Sequence, residues 1–179
     1  MLVSPVDDLS DWRYESVIYP RCADPMNKDG KMCLYAPDVT VGPDGRYYLY
    51  YVLDKISIIS VAVCDTPAGK YEFYGYVHYP DGTRLGDREG DEPQFDPGVL
   101  TEGDRTYLYS GFCGIGDTSR TGSKVVVLDK DMLTVLEGPC PSPRAASTAL
   151  TRSTRDTPSL RRLPYARSTG STSSYTPPR

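Results

Sequence analysis

An all-β fold is predicted by three features of the sequence. Short runs rich in Tyr, Val and Ile alternate with clusters of Gly, Pro and Asp, helical periodicity is nearly absent, and one pattern recurs after about 60 residues. β-Branched and aromatic side chains suit a pleated, half-buried surface, and the residues between them set turns.

The repeat defines the elements in order. "APDVTVGPDGRYYLYYV" (36–52) is answered by "DPGVLTEGDRTYLYSGF" (96–112). Each places an Asp and a Pro before Val39 or Val99, then a turn of Gly and Asp, then a strand centred on Tyr48-Leu49-Tyr50 or Tyr107-Leu108-Tyr109. "ISIISVAVCD" (56–65) is answered by "SKVVVLDK" (123–130), and "KYEFYGYVHY" (70–79) by "MLTVLEGP" (132–139). A further copy of the last strand stands near the start, "DWRYESVIY" (11–19). The unit is therefore four antiparallel strands. At this period such a unit points to a β-propeller blade, whose first strand lines the central channel and whose fourth forms the rim. A sandwich with accidental similarity is the alternative. Residues 1–139 then hold one rim strand and about two blades.

Composition changes near residue 140. Residues 140–179 contain seven Arg, no Lys and one acid, and 28 of their 40 positions are Ser, Thr, Pro or Arg. Residues 1–139 hold 23 acids against 13 Lys and Arg. The tail has no strand or helix period and reads as a basic, disordered, low-complexity segment.

The overall charge of -4 and pI near 5.0 argue against nucleic acid as the main partner. No apolar run reaches membrane-spanning length, and "MLVSPVDDLSDW" lacks a basic region followed by an apolar stretch. No membrane partner is expected. A cytoplasmic, reduced protein is the default, with a secretion signal upstream of this segment left open. Cys22, Cys33, Cys64, Cys113 and Cys140 form no C-x-x-C pair and accompany a single His, which argues against a zinc site and a disulfide framework.

One stretch carries a candidate site. In "EPQFDPGVL" (92–100), Asp-Pro-Gly needs no chemistry to explain it, since all three residues form turns. The repeat gives Asp96 a second meaning. It stands at the start of an innermost strand, and Asp38 is read as its counterpart in the preceding blade, so that both carboxylates aim into the channel where blades converge. Phe95 flanks Asp96 and is the candidate aromatic face for a ligand. Trp12 and Tyr35 read as packing residues in a chain with 15 Tyr. For Asp38 a strand-start cap is the bland alternative.

The pieces "LYAPDVTVGPDGRYYLYYV", "ISVAVCDTPAGKYEFYGYV" and "EPQFDPGVLTEGDRTYLYSGF", which together cover most of residues 8–139, resemble glycoside hydrolase family 43. That resemblance implies a five-bladed β-propeller acting on xylosyl and arabinofuranosyl linkages by inversion, with carbohydrate as partner. It implies three inward acids: a general base, a general acid, and an aspartate that orients the acid and raises its pKa. Inversion needs the base and acid roughly 6.5–9.5 Å apart to admit a water, and a neighbouring negative charge keeps the acid protonated. Asp96-Pro97 matches the family's tuning aspartate, and Asp38 matches a channel-lining residue near the first subsite, with a role in substrate positioning or support of the base.

The chain departs from the pattern in two places. The base belongs to the innermost strand of a blade of which only the rim strand is present, and no acid is evident. Glu137, in "LEGPCP", ends a rim strand and should face away from the channel. Read from the third base of each codon, residues 154–172 can give "EGHAFFEASSIRKIDGVY", which resembles the family's acid-bearing segment, so the tail is expected to be out of frame after a break near residues 140–144. The fragment is then expected to be inactive. A calcium ion held through a channel histidine is implied for many members, but His78 lies in a rim strand, and no cofactor is expected. The alternatives are a non-catalytic propeller fragment binding carbohydrate or protein, and a related mannoside phosphorylase.

Overall fold

A computed structural model describes residues 1–111 and 123–141; Cys113 and the basic tail beyond residue 141 lie outside the described residues. Among the described residues, ten strands form three antiparallel sheets. A minimal ribbon pairs β1 (Leu2–Val3) with β2 (Arg13–Tyr14). The second sheet holds β3 (Leu34–Val41), β4 (Tyr47–Leu53), β5 (Ile59–Cys64) and β6 (Glu72–Tyr76) in chain order. The third repeats that order with β7 (Gly98–Glu102), β8 (Arg105–Gly111), β9 (Ser123–Leu128) and β10 (Val135–Pro141). The all-β prediction and the two predicted four-stranded units are thus both found.

Side-chain alternation decides which faces meet. Tyr48, Tyr50 and Val52 of β4 and Ile59 and Val61 of β5 are buried in one cluster with Leu108, Val126, Leu128, Met132 and Val135 of the third sheet. This cluster is the interface between the two sheets. The Tyr50 hydroxyl donates across it to the Met132 carbonyl at 2.7 Å, so the phenol is buried without losing its hydrogen bond. The opposite face of the second sheet presents Leu49, Tyr51, Leu53 and Ala62, and these pack with Tyr19, Ile18, Met26, Met32 and Leu34. β4 is therefore covered on both sides, which explains why "YLYYVL" is an unbroken buried run. β8 instead alternates, with Thr106, Leu108 and Ser110 buried and Tyr107 and Tyr109 only half-buried.

The segment expected as a rim strand, residues 11–19, is strand only at Arg13–Tyr14. A rim strand is held by the ladder of its own blade, and among the described residues no third strand lies beside it. Its end finds a partner in the next sheet: the Ile18 carbonyl accepts from Tyr71 N at 2.8 Å, and Tyr19 turns inward to meet the Tyr51 ring at 5.3 Å. Two short 3-10 turns follow, Arg21–Ala23 and Pro25–Asn27. Asp24 caps the second through Met26 N and is fully buried. Its carboxylate also accepts from the Tyr51 hydroxyl at 2.7 Å and the Tyr76 hydroxyl at 3.3 Å, and Tyr51 shares a 2.8 Å hydrogen bond with Tyr19. This tyrosine-carboxylate cluster fastens the N-terminal segment over the second sheet.

Candidate active site

The long connection from β6 to β7 delivers Phe95 and Asp96, and it is pinned along its length. The Tyr79 hydroxyl donates to Asp91 Oδ1 at 2.8 Å, while Asp91 Oδ2 accepts from Gly86 N at 2.9 Å. Burial and the Asp91 carboxylate push the Tyr79 phenol up to about 12, so it remains a donor across the neutral range. Gln94, 3% exposed, is the last anchor before the site. Its backbone N–H donates to the Ser57 carbonyl at 3.1 Å, its side-chain amide donates to the Glu92 carbonyl at 2.8 Å, and its Oε1 accepts from the buried Ser110 hydroxyl of β8. The Phe95 carbonyl then accepts from Gly111 N at 2.9 Å, at the far end of the same strand.

Asp96 follows with φ at +48°, in the left-handed region, before Pro97 and the start of β7 at Gly98. That conformation is uncommon outside Gly, Asn and Asp, and it belongs with strained backbone found at functional sites. The Asp96 side chain is exposed and makes no hydrogen bond to another described residue. Phe95 is half-buried, with its ring 6.1 Å from that of Tyr35, and it packs on the edge of the inter-sheet core.

Asp38 stands in β3 opposite Tyr50, just after a register irregularity between Tyr35 and Asp38. Its position corrects the expectation that Asp38 and Asp96 are counterparts. Val39 lies opposite Leu49 and Val99 opposite Leu108, so Asp38 corresponds to Gly98. The counterpart of Asp96 is Ala36, which has the same left-handed backbone at φ +44° and also precedes a proline. The two segments share an X-Pro-Y kink, and the aspartate occupies X in one and Y in the other. Asp38 therefore turns toward the neighbouring sheet, where its Oδ2 accepts from Val99 N at 2.8 Å and its Oδ1 from Val39 N at 2.9 Å.

Glu137 lies where the sequence expected it, away from Asp96. β10 is the edge of its sheet opposite β7, and the exposed Glu137 carboxylate pairs with Arg105 at 2.5 Å. His78 sits between the outer strands of the two sheets, with its N–H on the Leu133 carbonyl and its Nδ1 2.8 Å from the Tyr79 carbonyl. Among the described residues no group of three His, Cys, Asp or Glu is placed to hold a metal ion. The described clefts, of about 190 and 440 Å³, lie around Arg105 and Glu137 and around Cys64 and Lys70, and neither is lined by Asp38, Phe95 or Asp96. A propeller channel is walled by all of its blades, so two blades leave the site at an open edge. Sequence reasoning missed Gln94 and Asp24. A polar residue set between Pro93 and Phe95 was the available signal for the first; the second sits in "CADPMN", which reads as turn.

Two stacked four-stranded sheets in the same strand order, with their first strands side by side, define a segment of a β-propeller. The family model for glycosyl hydrolases family 43 matches residues 4–162. A "Xylosidase/arabinosidase" from Thermoclostridium stercorarium is 75% identical over 136 residues, covering 76% of this chain and 29% of that protein. In fold, the chain is similar to a putative exo-β-1,3-galactanase from Bifidobacterium bifidum S17, with TM-score 0.55 and 24% identity, over 73% of this chain and 40% of that one. It is also similar to an α-L-arabinofuranosidase from Clostridium thermocellum, with TM-score 0.51 and 23% identity, over 74% of this chain and 41% of that one. The chain belongs to glycosyl hydrolases family 43, and it spans under a third of the length of the curated relative it matches.

Proposed function

We propose that this chain is the portion of an inverting glycoside hydrolase, acting on xylan- or arabinan-type sugars, that carries the tuning aspartate of a three-acid site. Asp96 orients the general acid and raises its pKa by placing a negative charge beside it. Phe95, backed by Tyr35, offers an apolar face to a sugar ring, and Asp38 serves as a sugar-binding group on the neighbouring strand. The observation that carries the reading is Asp96 itself: an exposed carboxylate on a pinned, left-handed backbone just before the start of β7. The close relationship to a xylosidase/arabinosidase supports the sugar class.

General base and general acid lie outside residues 1–139 in this reading. Assays on aryl xylosides and aryl arabinofuranosides should therefore show no turnover by residues 1–179 alone. The intact enzyme carrying this segment should hydrolyse them with inversion and lose at least about 100-fold in kcat in Asp96→Asn, the lower end of the usual acid-base contribution. Turnover by the 179-residue chain would sink the assignment. The same reading puts residues 140–179 in a second frame, and a nucleotide sequence whose other frame does not continue the propeller pattern would refute that part.

A further inference from the structure

β3 and β7 are each the first strand of their sheet, so each has one edge with no ladder partner in its own sheet. Backbone N–H groups on such an edge need another acceptor or water. Between these two edges the structure sets side-chain rungs in place of a ladder. Asp38 Oδ2 accepts from Val99 N at 2.8 Å, and two residues along, the Thr40 and Thr101 hydroxyls meet at 3.0 Å. The spacing of two is that of side chains on one face of a strand. Thr101 is in turn 3.2 Å from Thr106 Oγ1, which continues the contact into β8.

The first rung has a property the second lacks: it joins a carboxylate to backbone. Val99 is three residues beyond Asp96, and between them stand only Pro97 and Gly98. The proline restricts the preceding residue and its own φ. Gln94 fixes the chain on the other side of Asp96 through Ser57, Glu92 and Ser110. Asp96 is thus suspended between two anchors: Gln94, tied to Ser57 of the neighbouring blade and to Ser110 of its own, and Val99, tied to Asp38 of the neighbouring blade.

We infer that Asp38 is a positioning residue: its carboxylate clips the amide of Val99 across the blade boundary and so sets the backbone from which Asp96 points. This role is in addition to any sugar contact, and it rests on the reading of Asp96 as the site carboxylate. It also gives the register irregularity before Asp38 a function, because such irregularities re-aim a side chain.

The test uses the 179-residue chain and is read by NMR, so it does not depend on turnover. In the unaltered protein the Val99 amide should be protected from exchange by its Asp38 acceptor. Asp38→Ala should cost it about tenfold in protection and move the Asp96 Cα resonance, which reports its left-handed φ. Asp38→Asn keeps an acceptor and should retain most of the protection and the Asp96 resonance. Unchanged Val99 protection, or an unmoved Asp96 resonance, in a folded Asp38→Ala chain overturns the inference. If Asp38→Ala does not fold, Asp38→Ser, too short to reach the Val99 amide, takes its place, and unchanged protection there overturns it. Failure of the glycosidase reading would appear only in the turnover assays and would leave these amide signals as described.

Discussion

Replacing Gln94 by Leu tests how firmly the loop bearing Asp96 is held. The side chain is 3% exposed, accepts from the Ser110 hydroxyl and donates to the Glu92 carbonyl at 2.8 Å. Leucine nearly fills the same volume, so the change removes polar partners more than packing. Two hydrogen bonds are lost at about 1 kcal/mol each, and the Ser110 hydroxyl, itself 6% exposed, is stranded at a further cost of about 1–3 kcal/mol. The apolar side chain recovers about 1 kcal/mol. The net destabilisation is about 2–4 kcal/mol, a large share of the about 5–15 kcal/mol that holds a domain together. With a urea slope of about 1.5 kcal/mol/M, the midpoint falls by about 1.3–2.7 M. Circular dichroism is the suitable signal, since the single Trp12 is 57% exposed and its fluorescence reports little about burial. Adding Ser110→Ala to Gln94→Leu removes the stranded hydroxyl and should restore about 1–2 kcal/mol. A midpoint change under about 0.3 M, or no recovery in the double variant, would refute the claim that Gln94 anchors the loop.

Tyr51→Phe takes a 2.7 Å donor from the fully buried Asp24 carboxylate and should cost about 2–3 kcal/mol in urea denaturation, more than Tyr19→Phe, which touches the carboxylate only through Tyr51. For Asp131, burial pulls the carboxyl pKa upward, but hydrogen bonds from the Thr134 hydroxyl and from the Thr134 and Leu133 amides outweigh it and leave the pKa lowered. Its contribution is therefore present above the unfolded value of about 3.9 and is lost as pH falls through the lower folded value. Stability measured from pH 6 down to about 2 should fall less steeply in Asp131→Asn, and an unchanged slope would count against the hydrogen bonds as its source.

The strands were legible because each repeat carries Tyr-Leu-Tyr in its second strand, and the structure shows what that pattern encodes. Leu49 and Leu108 face backward, toward the preceding layer, while Tyr48, Tyr50, Tyr107 and Tyr109 face forward. The direction in which the next layer would sit is thus written in alternation alone. The partnership of Asp38 was not legible. Its place depends on an irregularity between Tyr35 and Asp38 that shifts the register, and on a two-residue difference in where the aspartate stands around each proline. Gln94 and Asp24 were hidden for a related reason: both lie in irregular backbone, where burial follows tertiary contacts rather than period. Glu137 could be placed away from Asp96, since β10 is the edge strand opposite β7, whereas His78 falls past the end of β6 in an isolated bridge between the two sheets.

The two faces of this stack are unlike. Tyr19, Met26, Met32 and the Asp24 cluster close one side of the second sheet, whereas Leu100, half exposed, and the half-buried Tyr107, Tyr109, Val125 and Val127 line the outer side of the third. Such a body has one end capped by its own N-terminal segment and one that ends on an apolar sheet face, which is the surface on which a following blade of a propeller stacks.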